Sequence, residues 1–247
     1  MSDRFKRVID FYGAEGFNRI REASVFIAGL GGVGSHCASA LARSGVGKLY
    51  LADFDTVTES SLNRNPLLSE NDIGKLKVNS MADLLRAVCS DTTVVPMERF
   101  LCTEDLLEYG IPAEVSAVAD AIDSLNPKTQ LLQFCCENEV PVFSSMGAAG
   151  KRVVPSIRTG DISESGGCPL AKMTRKYLRK RGVTSGITCV WSVEKALEPL
   201  PPDDEPRLEK RGRLRNSLPS LITMPGIFGY TLAQLILDRI TLLPEPE

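Results

Sequence analysis

The chain has a single histidine, and its seven cysteines include no Cys-x-x-Cys pair. Structural zinc takes four thiolate or imidazole ligands at short spacings, so this absence argues against a zinc module. An odd set of thiols (Cys37, Cys89, Cys102, Cys135, Cys136, Cys168 and Cys189) reads as reduced and mostly buried rather than disulfide-paired. The opening MSDRFKRVIDFYG carries charges but no apolar core of signal-peptide length. Nothing in it suggests export, and a cytoplasmic location is the expectation. Excess charge of one sign is lacking too: the net charge is −2 over 247 residues, which gives no overall pull toward nucleic acid. What is present is ordinary for a soluble globular domain, with 43% hydrophobic and 24% charged residues.

Charge is nevertheless unevenly placed. From Lys172 to Arg181 six of ten residues are basic (Lys172, Arg175, Lys176, Arg179, Lys180, Arg181) and none is acidic. A second cationic run follows at Arg207, Lys210, Arg211, Arg213 and Arg215, diluted by Glu205 and Glu209. Such runs are either solvated faces or phosphate-binding patches for a polyanion. The tail from Ser217 to Leu237 is uncharged enough to approach membrane-spanning length, but Pro219, Pro225, Gly226 and Gly229 interrupt it. The expectation there is a strand or loop, broken before Ile227, then a docked C-terminal helix with no stable membrane insertion.

Hydrophobic periodicity predicts alternating helices and strands. A helical segment over residues 1–23 leads into the apolar run Ser24-Val25-Phe26-Ile27-Ala28, which reads as a buried parallel strand. The loop Gly29-Leu30-Gly31-Gly32-Val33-Gly34-Ser35 follows, then a helix over Ser35–Ser44 stopped by Gly45 and a strand over Lys48–Asp53. The glycine loop therefore lies inside a βαβ unit. Helices over Lys75–Cys89 and Pro127–Asn138 alternate with strands over Thr92–Met97, Val115–Ile122 and Val140–Ser144. Beyond Gly150 the pattern predicts an extended strand over Val153–Ile162 leaving the main sheet, and another over Thr188–Val193. The fold class is α/β, a Rossmann-like mostly parallel sheet with flanking helices and a small C-terminal extension. A single domain is expected, with a nucleotide-binding core over 24–150 and a substrate-side extension over 151–247. The extension includes a proline-rich, acidic loop over about residues 197–216.

A glycine-rich loop opening a helix offers backbone N–H groups and the positive dipole end to a phosphate, for NAD and ATP alike. Asp53, at the end of the next strand, is placed to accept ribose hydroxyl hydrogen bonds in either case. The residues after it discriminate. Arg64, Lys75 and Lys77, beside the polar Asn63, supply cations that hydride transfer does not need. Breaking the α–β phosphate bond of ATP builds negative charge and does need them.

The set Gly29-x-Gly31-Gly32-x-Gly34-Ser35, Asp53-Phe54-Asp55-x-Val57, Asn63-Arg64, Gly74-Lys75-x-Lys77 and Ala121-Ile122-Asp123-Ser124 resembles the ThiF/MoeB superfamily, the fold of ubiquitin-activating enzymes. The resemblance implies ATP-dependent adenylation, with Gly29, Gly31, Gly32 and Gly34 around the phosphates and Asp53 on the ribose. It implies Asn63, Arg64 and Lys77 on the phosphates, Asp123 (beside Ser124) on Mg²⁺, and catalysis by Arg64, Lys77 and Asp123. It also implies a homodimer in which an N-terminal arginine, best matched by Arg7 with Arg4 as the alternative, enters the partner's site. Ser61 stands where many members carry asparagine, which leaves one polar contact open.

The missing zinc cysteines, the opening Arg4-Phe5…Phe11-Tyr12-Gly13, the turn Gly147-Ala148-Ala149-Gly150, Pro169-Leu170-Ala171 and Cys189-Val190-Trp191-Ser192-Val193-Glu194 are similar to one branch, the tRNA threonylcarbamoyladenosine dehydratases. This resemblance implies ATP-driven cyclisation of the modified adenosine through a carboxyl-adenylate, with Lys172–Arg181 as a tRNA contact. It leaves open a bound Na⁺ or K⁺, a sulfur-transfer or carrier-protein partner, and a catalytic role for Cys168 or Cys189. His36, without a partner pattern, reads as a packing or surface residue. The alternatives are adenylation of the C-terminal glycine of a ubiquitin-like or sulfur-carrier protein, an NAD-dependent oxidoreductase, and a silent binding protein that kept the fold.

Overall fold

The structure is a computed structural model that describes residues 3–198, 200 and 218–242. The expected loop over 197–216 and the second cationic run lie largely or wholly outside the described residues. A helix α1 (Lys6–Glu22), kinked at Gly13, precedes β1 (Ser24–Ala28), α2 (Gly32–Arg43) and β2 (Lys48–Asp53). Then come α3 (Glu59–Leu62), α4 (Lys77–Val88), β3 (Thr93–Glu98), α5 (Thr103–Tyr109), β4 (Ala117–Asp120), α6 (Leu125–Glu137) and β5 (Val142–Ser145). The chain continues through β6 (Ile157–Asp161), α7 (Pro169–Arg179), β7 (Thr188–Ser192) and α8 (Thr223–Thr241).

These strands form one seven-stranded sheet in the order β3-β2-β1-β4-β5-β7-β6. All neighbours are parallel except β6, which runs antiparallel to β7 at the edge. The expected departure of the chain from the main sheet after Gly150 is corrected here. Residues of the Val153–Ile162 stretch form a short helical turn and then β6, paired from Ile157↔Ser192 to Asp161↔Thr188 within the same sheet. Strands β1, β4 and β5 are buried at every position, the signature of parallel strands covered on both faces. One layer centres on Ile27, Leu41, Met81 and Phe228, the other on Phe26, Leu131, Leu178 and Trp191.

The C-terminal helix corrects a second expectation. Pro225 and Gly226 do not break it: α8 starts at Thr223, so Pro225 falls in the first turn, where backbone N–H groups have no intrahelical acceptor. Gly229 lies inside α8, and a Cβ there would sit 2.4 Å from the Val33 carbonyl oxygen of α2. Glycine at that position lets the two helix backbones close on each other. Among the described residues no helix is long and apolar enough to cross a membrane.

Candidate active site

The sheet order reverses between β1 and β4, and ligands of open α/β sheets bind outside the carboxyl ends of strands at such a point. The glycine loop stands there. Gly29 leaves β1 with φ +87°, and a Cβ on Gly34 would lie 1.8 Å from the Gly29 carbonyl oxygen, so the turn closes only with glycine at both places. Helix α2 begins earlier than the sequence pattern predicts, at Gly32, and its first ladder bond runs from Ser35 N–H to Gly31 O (3.1 Å). The N–H groups of Gly32, Val33 and Gly34 are thus left for an anion. A Cβ on Gly31 would meet nothing within 4 Å, whereas one on Gly32 would lie 2.9 Å from Pro225 Cβ, so the loop is open at Gly31 and packed at Gly32.

The Leu30 peptide unit is gripped at both of its polar groups. Its N–H donates to Asp53 Oδ2 (2.6 Å), and its carbonyl accepts from Asn65 Nδ2 (3.1 Å). Asn65, buried and itself accepting from Leu67 N–H (3.0 Å), was not singled out by the sequence. Asp53 also accepts from Asp55 N–H (2.8 Å), and burial raises its carboxyl above the usual range. Two bonds do not exhaust a carboxylate's lone pairs, so Asp53 keeps acceptor capacity for a further donor.

The expected cations flank this loop. Lys77 opens α4 and its Nζ lies 2.8 Å from Asp55 Oδ2, while Arg64 Nη1 donates to Ser60 O (2.6 Å) and Asn63 Oδ1 (3.2 Å). Asn63 Nδ2 reaches Ser220 O (3.2 Å), ahead of α8. Ser61 shares a capping box with Thr58 across α3, so serine at this position serves the local backbone. Arg7 is exposed on α1, an element that packs against α8, and is not gathered with these groups.

On the far side of the loop the chain after β4 presents Asp123, exposed, with Ser124 Oγ donating to its Oδ1 (3.2 Å). Beneath them lies a pair that sequence reasoning missed. Lys128 Nζ and Asp120 Oδ2 are 2.6 Å apart with both side chains fully buried, and Ser144 Oγ donates to the same oxygen (2.6 Å). Among the described residues no group of three or more His, Cys, Asp or Glu side chains is placed to hold a metal by itself. An exposed carboxylate such as Asp123 does suit Mg²⁺ delivered on nucleotide phosphates, since that ion takes only one or two protein carboxylates in such sites.

Beyond β5 and β7 lies the rest of the carboxyl edge. Lys151 is buried, donates to Ser192 O (3.0 Å), and has its ammonium pKa lowered by desolvation. Cys168, at the start of α7, is buried against Gly147, whose added Cβ would lie 3.4 Å from Sγ. Cys189 lies buried within β7, and burial pushes its thiol well above the ordinary range, which disfavours the nucleophilic thiolate. His36 packs in the α2–α8 interface, donating from Nδ1 to Gly32 O (2.6 Å) and meeting Tyr230 edge-on. The basic segment divides. Lys172, Lys176, Arg179 and Lys180 are exposed, whereas Arg175 turns inward to Ser165 and Arg181 bonds Gln133 (3.2 Å).

Among known protein families, the ThiF family profile matches residues 5–247. The chain belongs to the ThiF family. Within the family it is 33% identical over 258 residues to tRNA threonylcarbamoyladenosine dehydratase 2 of Saccharomyces cerevisiae, covering 98% of this chain but 57% of that protein's length. It is 34% identical over 194 residues to the tRNA threonylcarbamoyladenosine dehydratase of Bacillus subtilis, covering 78% of this chain and 76% of that one. The solved ThiF-type fold of the Escherichia coli tRNA N6-threonylcarbamoyladenosine dehydratase in complex with ATP superposes with a TM-score of 0.85 at 26% identity, covering 98% of this chain and 96% of that one.

Proposed function

We propose that the chain is an ATP-dependent adenylating enzyme that dehydrates and cyclises N6-threonylcarbamoyladenosine in tRNA. The observation that carries this reading is the likeness, over nearly the full chain, to a dehydratase solved with ATP, joined to a glycine loop that opens a helix at the carboxyl end of the sheet. In the proposed reaction the threonyl carboxylate attacks the α-phosphate of ATP, forming an acyl-adenylate and releasing pyrophosphate. The neighbouring urea nitrogen then attacks the activated carbonyl, loses its proton, and releases AMP as the ring closes. Nucleophile and electrophile share one nucleoside, so proximity drives the second step without an enzyme thioester.

The chain's residues take the following parts in this reading. The first N–H groups of α2 hold phosphate oxygens, and Asp53 accepts from the ribose. Arg64, Lys77 and Asn63 leave their present partners to stabilise the charge that develops on the phosphates and on departing pyrophosphate. Asp123 holds Mg²⁺, which supplies charge neutralisation at those oxygens when bound. Arg7 acts only in a homodimer, entering the partner's site across a two-fold axis. The exposed cations of α7 contact the tRNA backbone, which positions the stem-loop without reading its sequence. A cytoplasmic location belongs to the same proposal.

The test is to incubate the protein with ATP, Mg²⁺ and threonylcarbamoylated tRNA and to weigh the nucleoside by mass spectrometry. Loss of one water, with AMP formed in equal amount, is expected. An unchanged nucleoside together with pyrophosphate exchange that depends on a small carrier protein would replace this reading with carrier adenylation.

A further inference from the structure

The fully buried Lys128–Asp120 pair stands behind the candidate site without touching it. Buried ion pairs seldom stabilise a fold more than apolar residues of the same volume, because both charges must leave water. This one spends its hydrogen bonds on a single peptide segment. Asp120 Oδ1 accepts from Ile122 N–H (3.1 Å), and Lys128 Nζ donates to Ile122 O (3.0 Å). Ser144 Oγ, on β5, secures the other Asp120 oxygen (2.6 Å). Both backbone polar groups of Ile122 are therefore held from inside the protein, and Asp123, the next residue, is left exposed at the surface. The same turn abuts the nucleotide loop: a Cβ on Gly29 would lie 3.0 Å from Ala121 O, and one on Gly34 would lie 3.3 Å from Ala121 Cβ.

We propose that Lys128 is a positioning residue for Mg²⁺-dependent nucleotide binding, fixing through Asp120 and the Ile122 carbonyl the backbone that presents Asp123 to the phosphates. The inference rests on the adenylation reading and deepens it. Lys128 meets neither nucleotide nor metal; it acts by removing alternative conformations of the 120–123 turn. Removing a partner that orients a metal ligand typically changes metal affinity by about 10–100-fold, and a similar effect is expected here.

The experiment is titration calorimetry with α,β-methylene-ATP, in Mg²⁺ and in EDTA, with thermal unfolding followed in parallel. Lys128→Met alone would leave the Asp120 charge buried and unpaired, so the main variant is Asp120→Asn/Lys128→Met, with Lys128→Arg as the conservative control. The double variant is expected to bind the analogue about tenfold or more weakly in Mg²⁺ while matching the wild type in EDTA. It is also expected to exchange the amide hydrogens of residues 121–124 faster. Lys128→Arg is expected to regain most of the Mg²⁺-dependent affinity. Equal weakening in both buffers would mean general loosening of the site and would overturn the inference, as would unchanged affinity in Mg²⁺. A wild-type chain that binds no analogue in either buffer fails the adenylation reading itself, and this inference with it.

Discussion

Leu30 shows how much of the candidate site is set by side chains that hold the backbone of the glycine loop. Its peptide is pinned by Asp53 and Asn65, so the loop holds its shape before any phosphate arrives. Removing the Asn65 amide leaves a buried carbonyl without its donor, which costs about 1–3 kcal/mol. Asn65→Ala is accordingly expected to lower stability by that order in urea unfolding and to weaken ATP binding. Arg64 and Lys77 behave differently, because their present bonds are to Ser60, Asn63 and Asp55 near the surface. Arg64→Ala or Lys77→Ala is expected to reduce adenylation by about 10²–10³-fold, as loss of one transition-state donor does. Their unfolding midpoints should stay close to the wild type; a drop in midpoint that matches the loss of activity would assign them to the scaffold instead.

Helix α7 divides its cations by direction: Ala171, Thr174 and Leu178 face the core, and Lys172, Lys176, Arg179 and Lys180 face water. Every phosphate that a cation no longer neutralises lowers the dependence of log affinity on log salt by about 0.7–0.9. Replacing those exposed cations with glutamine is expected to weaken tRNA binding and flatten that slope, as filter binding across a salt series would measure. Replacing Arg175 should leave the slope alone, since it serves Ser165. Short apolar runs made β1 and β2 legible because both are buried along nearly their whole length, and helical periodicity made α4 legible because its apolar residues recur on one buried face. The pattern gave an extended strand around β6 but failed on its place, because the half-exposed residues Ile157-Arg158-Thr159-Gly160-Asp161 carry no apolar signal that they join the sheet edge. It failed also at α8, where proline and glycine act as local breakers in isolation but fit a first turn and a close helix contact once α2 lies beside them.

For the protein taken entire, acid stability is set partly by carboxylates remote from the site. Glu114, held by the Tyr50 hydroxyl and by Lys48, has its carboxyl pulled from 4.5 to about 2. The folded value lies below the unfolded one, so this contribution is complete above pH 4.5 and fades as pH falls toward about 2. Glu114→Gln is expected to lower the melting temperature at pH 7 and to converge with the wild type near the lower end of that window. Melting curves across the pH range would decide it. The placement of the glycine loop between a strand and a helix was readable, and the proposed site's other motif residues stood out because phosphate chemistry demands particular residue types at particular spacings. Asn65, Asp120, Lys128 and Ser144 were not, because polar residues carry no local mark of burial, and Asp120 and Ser144 meet only when β4 and β5 pair.

The closeness of α8 to α2 sets an order of events for a chain emerging from the ribosome. The helix proposed to receive phosphate packs against a partner translated much later, with Gly229 against Val33 and Pro225 against Gly32. Until that late segment leaves the exit tunnel, the apolar flank of α2 has no cover, and the growing polypeptide is a natural client for holding chaperones.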